Sequence, residues 1–223
     1  MSQQTFYSEE GSGNINHFGV IGGWDAIHDA SVGTTADPLN ESLTHWINDV
    51  MAAYTYTQGG TVYNIWREFL VFDTSLIPNG AAITSASLVV NFPDLFTAGA
   101  GPYGDVGLVQ TTQASTDTLV IGDFDQCGTV DSPDEGSPRV AFSVVGEKTF
   151  TLNATGLAWL NKGGITQLGL RCDLDLDDTT PVDGVTETEV DINTRWITDS
   201  QPKLVVNYSI GKQPLPTFFR ATT

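Results

Sequence analysis

From residue 61 the chain settles into the two-residue periodicity of extended backbone. Val62, Asn64, Trp66, Glu68, Leu70 and Phe72 fall on one side, and Tyr63, Ile65, Arg67, Phe69 and Val71 on the other. Both sides are largely apolar, which predicts a strand covered on both faces. Arg67 then lies among apolar residues, so its charge must be paired or hydrogen-bonded, because an unpaired buried ion is very costly. Asp73 closes the strand, Ile77-Pro78-Asn79-Gly80 is a turn, and residues 82–92 return as a second strand interrupted at Pro93. Further strands are expected at Val106 to Gln110, Lys148 to Leu152, Gln167 to Leu176, Arg195-Trp196 and Lys203 to Ile210. Thr155 to Asn161 reads as a short helix or tight crossover before Gly163-Gly164. Periodicity is weaker in the first sixty residues, where Phe6-Tyr7, His17 to Gly22 and Tyr54 to Thr57 are the strand candidates. Short strands separated by turns predict an all-β fold, a single β-sandwich of jelly-roll type with an irregular N-terminal region and an extended C-terminal tail. The sandwich is assigned to residues 1–211 and the arm to 212–223.

Composition sharpens this picture. The chain has 223 residues, a length that suits one large all-β domain or two small ones, and the lack of a repeat or low-complexity linker favours one. Twenty-eight Thr against four Lys, with 23 Gly and 10 Pro, favour strands and turns over helices. Nine Lys+Arg against 27 Asp+Glu leave a net charge of -18. That excludes nucleic acid as the main partner and a polybasic membrane surface as the docking site, since both require clustered positive charge. No apolar run approaches the roughly 20 residues of a membrane-spanning helix, and Met1-Ser2-Gln3-Gln4 does not start a signal peptide. Cys127 and Cys172 could pair, but two cysteines are too few for a disulfide framework, and free thiols are the favoured reading.

The run Arg67-Glu68-Phe69-Leu70-Val71-Phe72-Asp73-Thr74-Ser75-Leu76-Ile77-Pro78, followed by Ala81 to Leu88, resembles the signature of the DNRLRE class of β-sandwich domains. That class is related to disaggregatase and to some carbohydrate-binding modules. Thr151 to Leu160, Thr166 to Arg171 and Gln201 to Tyr208 are similar to later parts of the same pattern, so the resemblance spans most of residues 60 to 210. Its letters serve the fold: Phe69, Val71 and Phe72 fill a core, Pro78 and Gly80 set a turn, and Arg67 satisfies buried carbonyls or a carboxylate. The resemblance therefore implies the sandwich far more strongly than any activity. It implies two contexts, glycan-binding modules of secreted enzymes and adhesins, and virion proteins of tailed phages such as head decorations, fibres or tail parts. A chain starting at a bare Met without a leader is expected in the second, because virion parts are made in the host cytoplasm and released by lysis.

Chemistry is sparse. No Gly-x-Ser-x-Gly elbow occurs, and His17, His28 and His45 lack the short helical spacing of a zinc site. The expectation is a non-enzyme. Asp173, Asp175 and Asp177 alternate with apolar residues, so on a strand they share a face, with Asp178 just beyond. Calcium suits such a set because it accepts several oxygen ligands in flexible geometry, and a solvated acid face is the competing reading. Asp123, Asp125 and Asp131 form a second acidic group, in a Cys/Gly/Pro loop. For sugar stacking, Trp24, Asp25 and His28 are the leading patch, joined by Trp46, Tyr54, Tyr56 and Trp196, with end-plugging aromatics as the alternative. Trp66 and Trp159 read as core. Pro214, Pro216, Phe218 and Phe219 form an apolar arm that docks on a neighbouring subunit or folds back on its own domain. The expected function is a non-enzymatic structural and adhesion protein, a homo-oligomeric virion component contacting other virion or surface-assembly subunits and polysaccharide. The alternative is an extracellular, calcium-assisted carbohydrate-binding module, and a polysaccharide-degrading enzyme is the weakest reading.

Overall fold

A computed structural model describes residues 1–19, 23–38, 48–57, 60–92, 104–141, 145–181, 188–192 and 201–211. In chain order the strands are β1 (Ser2–Tyr7), β2 (Gly13–Gly19), β3 (Thr35–Pro38), β4 (Asn48–Thr57), β5 (Gly60–Asp73) and β6 (Ala81–Phe92). They continue as β7 (Asp105–Gln110), β8 (Val140–Ala141), β9 (Gly146–Thr151), β10 (Ile165–Cys172), β11 (Thr188–Ile192) and β12 (Lys203–Ile210). Three short helices, α1 (Gly23–His28), α2 (Ala154–Ala158) and α3 (Asp173–Leu176), and a 3-10 turn at Ile121–Gln126 complete the described elements.

The strands form two antiparallel sheets, as the alternation predicts. The smaller has the order β1-β12-β6-β9, and the larger runs β11-β4-β5-β10-β7-β8 with β2 and β3 attached. In the small sheet the two-residue period is visible in burial: Leu204, Val206 and Tyr208 of β12 are buried while their neighbours are half-exposed. Ala86, Leu88, Val90 and Phe92 of β6 join them in the core. After β5, the Pro78 carbonyl accepts the Ala81 N–H at 2.8 Å, closing the expected turn. Asn153 caps α2 by accepting the Gly156 N–H, which makes the expected short crossover helical.

Strand β5 organises the large sheet. β2 pairs along residues 63–69, while β4 pairs with 60–66 and β10 with 68–73. β4 and β10 therefore meet end to end along one edge of β5, and Arg67 sits at their junction. Phe69, Leu70, Val71 and Phe72 are all buried, as a strand covered on both faces requires. Ile15, Arg67 and Phe69 share one face by register, and α1, α3 and the 3-10 turn cover it.

Two local expectations need correction. The strand ending at Leu176 stops at Cys172, where the chain turns into α3, so Asp173, Asp175 and Asp177 do not alternate along one strand face. Residues 23–28, read as loop, form α1, and its helical spacing buries Trp24, Ile27 and His28 together.

Candidate functional site

Beneath the helical cover lies a buried charge cluster. Arg67 donates to Asp175 through Nε (3.0 Å to Oδ2) and Nη2 (2.7 Å to Oδ1). Arg171 donates to the same two oxygens from Nε (2.6 Å) and Nη2 (2.8 Å). All three residues are essentially inaccessible to solvent. Burial alone would raise the Asp175 carboxyl, but the two guanidinium charges and their hydrogen bonds outweigh it and hold the group well below the usual carboxylate range. Burial would likewise depress Arg171, and Asp175 reverses that, leaving it above its ordinary value.

The guanidiniums also hold backbone. Arg67 donates to the carbonyls of Phe124 (3.1 Å) and His28 (3.2 Å), and its plane lies 4.3 Å from the Phe124 ring centre. Arg171 donates to Thr129 (2.8 Å) and Val130 (3.0 Å). One buried carboxylate thus orients two forks that fix the backbone of residues 124–130. The expectation that Arg67 is satisfied by a carboxylate and carbonyls holds on both counts.

That fixed segment walls an open groove of about 600 Å³. Trp159 supplies an aromatic wall, and Gln110, Thr112, Asp125 and Gln126 supply hydrogen-bonding groups. Gly128, Thr129, Ser132 and Asp134 continue the rim. The polar groups are pre-set. The Thr112 hydroxyl donates to Gln126 Oε1 at 2.8 Å, the Gln126 amide donates to Asp125 at 2.6 Å, and the Thr112 N–H donates to the Gln126 carbonyl at 2.9 Å. Trp159 is half-buried and follows the last turn of α2. Gly136 allows its approach, since a Cβ there would lie 2.1 Å from the indole. Trp159, expected in the core, does pack against it, but it is only half-buried and also lines the groove.

The sequence-predicted residues are distributed differently. Trp24 is 4% exposed, donates its Nε1–H to Asp178 at 2.7 Å, stacks on His28 and meets Tyr63 edge-on. It therefore offers no face to a sugar, and His28 is wholly buried, while Asp25 points to solvent. Tyr54 and Tyr56 lie on β4, opposite Tyr63 and Thr61. Trp46 and Trp196 lie outside the described residues, as do Pro214, Pro216, Phe218 and Phe219 of the arm. The four carboxylates considered for calcium go to separate partners. Asp173 accepts the Leu174 N–H, Asp175 holds the two arginines, Asp177 takes a two-pronged contact from Arg139, and Asp178 accepts from Trp24. Helical winding, rather than strand alternation, separates them. What the sequence reading kept apart, Trp24 with His28 and Asp175 with Asp178, the fold brings into one neighbourhood.

Cys127 and Cys172 are both buried free thiols, as expected. Burial pushes the Cys127 thiol up to about 12, against the partial opposition of Arg171 and Arg67. No protein-family model matches the chain, and no curated protein is found to match it.

Proposed function

We propose that the protein is a non-enzymatic structural and adhesion module that recognises a polysaccharide through the groove beside Trp159, carried on an extracellular assembly such as a tailed-phage virion. The observation that carries this reading is the groove itself. The half-buried Trp159 lines it together with Gln110, Thr112, Asp125 and Gln126, beside backbone held by buried arginines. Sugars are recognised by this combination, an aromatic surface against ring C–H groups and pre-oriented polar groups for hydroxyls. The acidic lining and the net charge of -18 favour neutral or amino sugars over uronic, sulfated or sialylated chains. The Asp175 carboxylate is saturated by four guanidinium bonds and enclosed, which suits a structural rather than an acid–base role. The two-sheet sandwich accords with the DNRLRE-type resemblance, whose relatives occur in glycan-binding and virion settings.

Binding to a panel of immobilised neutral, amino and acidic polysaccharides tests the proposal. Wild-type protein is expected to retain a neutral or amino glycan. Trp159→Ala and Gln126→Ala should each weaken that binding by roughly tenfold, the equivalent of about 1.4 kcal/mol. Retention of no polysaccharide, or equal retention by both variants, would overturn the groove assignment. Release of sugar from the bound chain would overturn the non-enzymatic part.

A further inference from the structure

A second site lies where α1 meets the loop that walls the groove. His28 is the last residue of α1 and fully buried, Asp29 follows it, and Asp131 comes from the loop after Cys127. One ligand atom from each lies within 4.8 Å of the other two. We propose that His28, Asp29 and Asp131 bind a divalent transition-metal ion of the zinc type, which ties α1 to the groove loop.

The orientation of His28 supports this. Its Nε2 lies 2.9 Å from the Asp175 carbonyl oxygen, which can only accept, and a proton on Nε2 satisfies that contact better than it does the longer 3.5 Å approach of Arg171 Nη2. In the neutral ring the lone pair is then on Nδ1. That atom faces carboxylates, 2.7 Å from Asp29 Oδ1 and 3.4 Å from Asp178 Oδ1. A lone pair against carboxylate oxygens is repulsive unless a positive charge lies between them, either a metal ion or a second ring proton. Metal-bound histidines are commonly held in this way, one ring nitrogen on the ion and the other donating to a backbone carbonyl. Here the carbonyl belongs to Asp175, whose side chain is locked by Arg67 and Arg171. Asp178, which accepts from Trp24, adds negative charge beside the site.

The donor set identifies the ion. One imidazole nitrogen with carboxylate oxygens suits zinc and its first-row neighbours, whereas calcium and magnesium select all-oxygen sites. Ligand atoms on a tetrahedral zinc ion lie about 3.3 Å apart, so the Asp29 carboxylate must back off from its 2.7 Å contact with Nδ1 and any wider pair must close for the ion to enter. Asp29 and Asp131 are both exposed at the surface and have the freedom to do so. Asp131 lies between the groove residues Thr129 and Ser132, so the ion would brace the wall that Arg171 supports from behind. The site stands on its own geometry and does not depend on glycan binding.

Chelator-treated protein titrated with Zn²⁺ in a calorimeter should bind one ion, and about a hundredfold excess over Kd should raise the melting temperature by several degrees. Asp131→Asn changes a surface side chain and leaves the buried cluster intact, whereas Asp29→Asn also alters the 2.7 Å contact with His28. A loss of affinity of about tenfold or more in either supports the site. In ¹⁵N-labelled protein, zinc should shift the Nδ1 resonance of His28 rather than Nε2. The rival arrangement, a doubly protonated His28 paired with Asp29 and no ion, predicts no saturable zinc binding, and that result would overturn the proposal. So would a stoichiometry other than one, unchanged affinity in both variants, or calcium bound as tightly as zinc.

Discussion

Replacing Asp175 by Asn removes the single anion shared by two buried guanidiniums and preserves side-chain volume. Its Oδ1 accepts from Arg67 Nη2 and Arg171 Nη2, and its Oδ2 accepts from Arg67 Nε and Arg171 Nε. Whichever way an amide is placed, its NH₂ group faces two guanidinium N–H donors. Two of four charge-assisted bonds become donor–donor contacts, and both arginines lose their counter-ion. Removing one partner of a buried pair costs about 3–5 kcal/mol, a large share of the roughly 5–15 kcal/mol that holds a domain folded. In urea, with an m-value of about 2.5 kcal/mol/M, the midpoint should fall by about 1.5 M at unchanged m. The melting temperature should fall by roughly 8–16 °C for a chain of this size. Replacing all three charges by apolar residues should not rescue the protein. The carbonyls of Phe124, His28, Thr129 and Val130 would lose their donors. An Asp175→Asn variant within about 1 kcal/mol of wild type would refute the view that this carboxylate anchors the groove segment.

Acid should unfold the protein through the same group. The folded state holds Asp175, and to a lesser extent Asp177, below the unfolded value near 3.9, so below about pH 5 the unfolded chain binds protons that the folded chain does not. Urea midpoints should therefore be insensitive to these groups above that pH and fall progressively below it; a flat profile from pH 5 to 3 would contradict the assignment. Gly136→Ala should displace the Trp159 indole, costing about 1–3 kcal/mol and weakening groove binding, as read by denaturation and glycan retention. Arg139→Ala breaks the partly exposed contacts to Glu135 and Asp177 and should cost at most about 1 kcal/mol in the same urea assay. Ellman's reagent should find no reactive thiol in native protein and two after unfolding in guanidinium, whereas rapid native reaction would contradict the burial of Cys127 and Cys172.

The amino-acid order alone determined the strand framework. Alternation over residues 61–73 and 203–210, with Pro and Gly at the turns, is local information, and strands β5, β6 and β12 follow it closely. It also required a partner for Arg67, because a lone charge among apolar residues has no affordable state. The partner's identity was not local. Asp175 lies 108 positions away, and Arg171 shares it only because β10 pairs with β5 and then winds into α3. The same winding sends Asp173, Asp177 and Asp178 to different neighbours. Trp24 and Trp159 show the converse. Periods of three and four are faint over six residues, so the helix that buries Trp24 could not be read in advance, and although the crossover at 155–161 was legible, the half-burial of Trp159 beside the groove was not. Repeating patterns report on the two-residue rise of a strand, whereas the distribution of charges and aromatics between core and surface is set by which distant segments the sheets bring together.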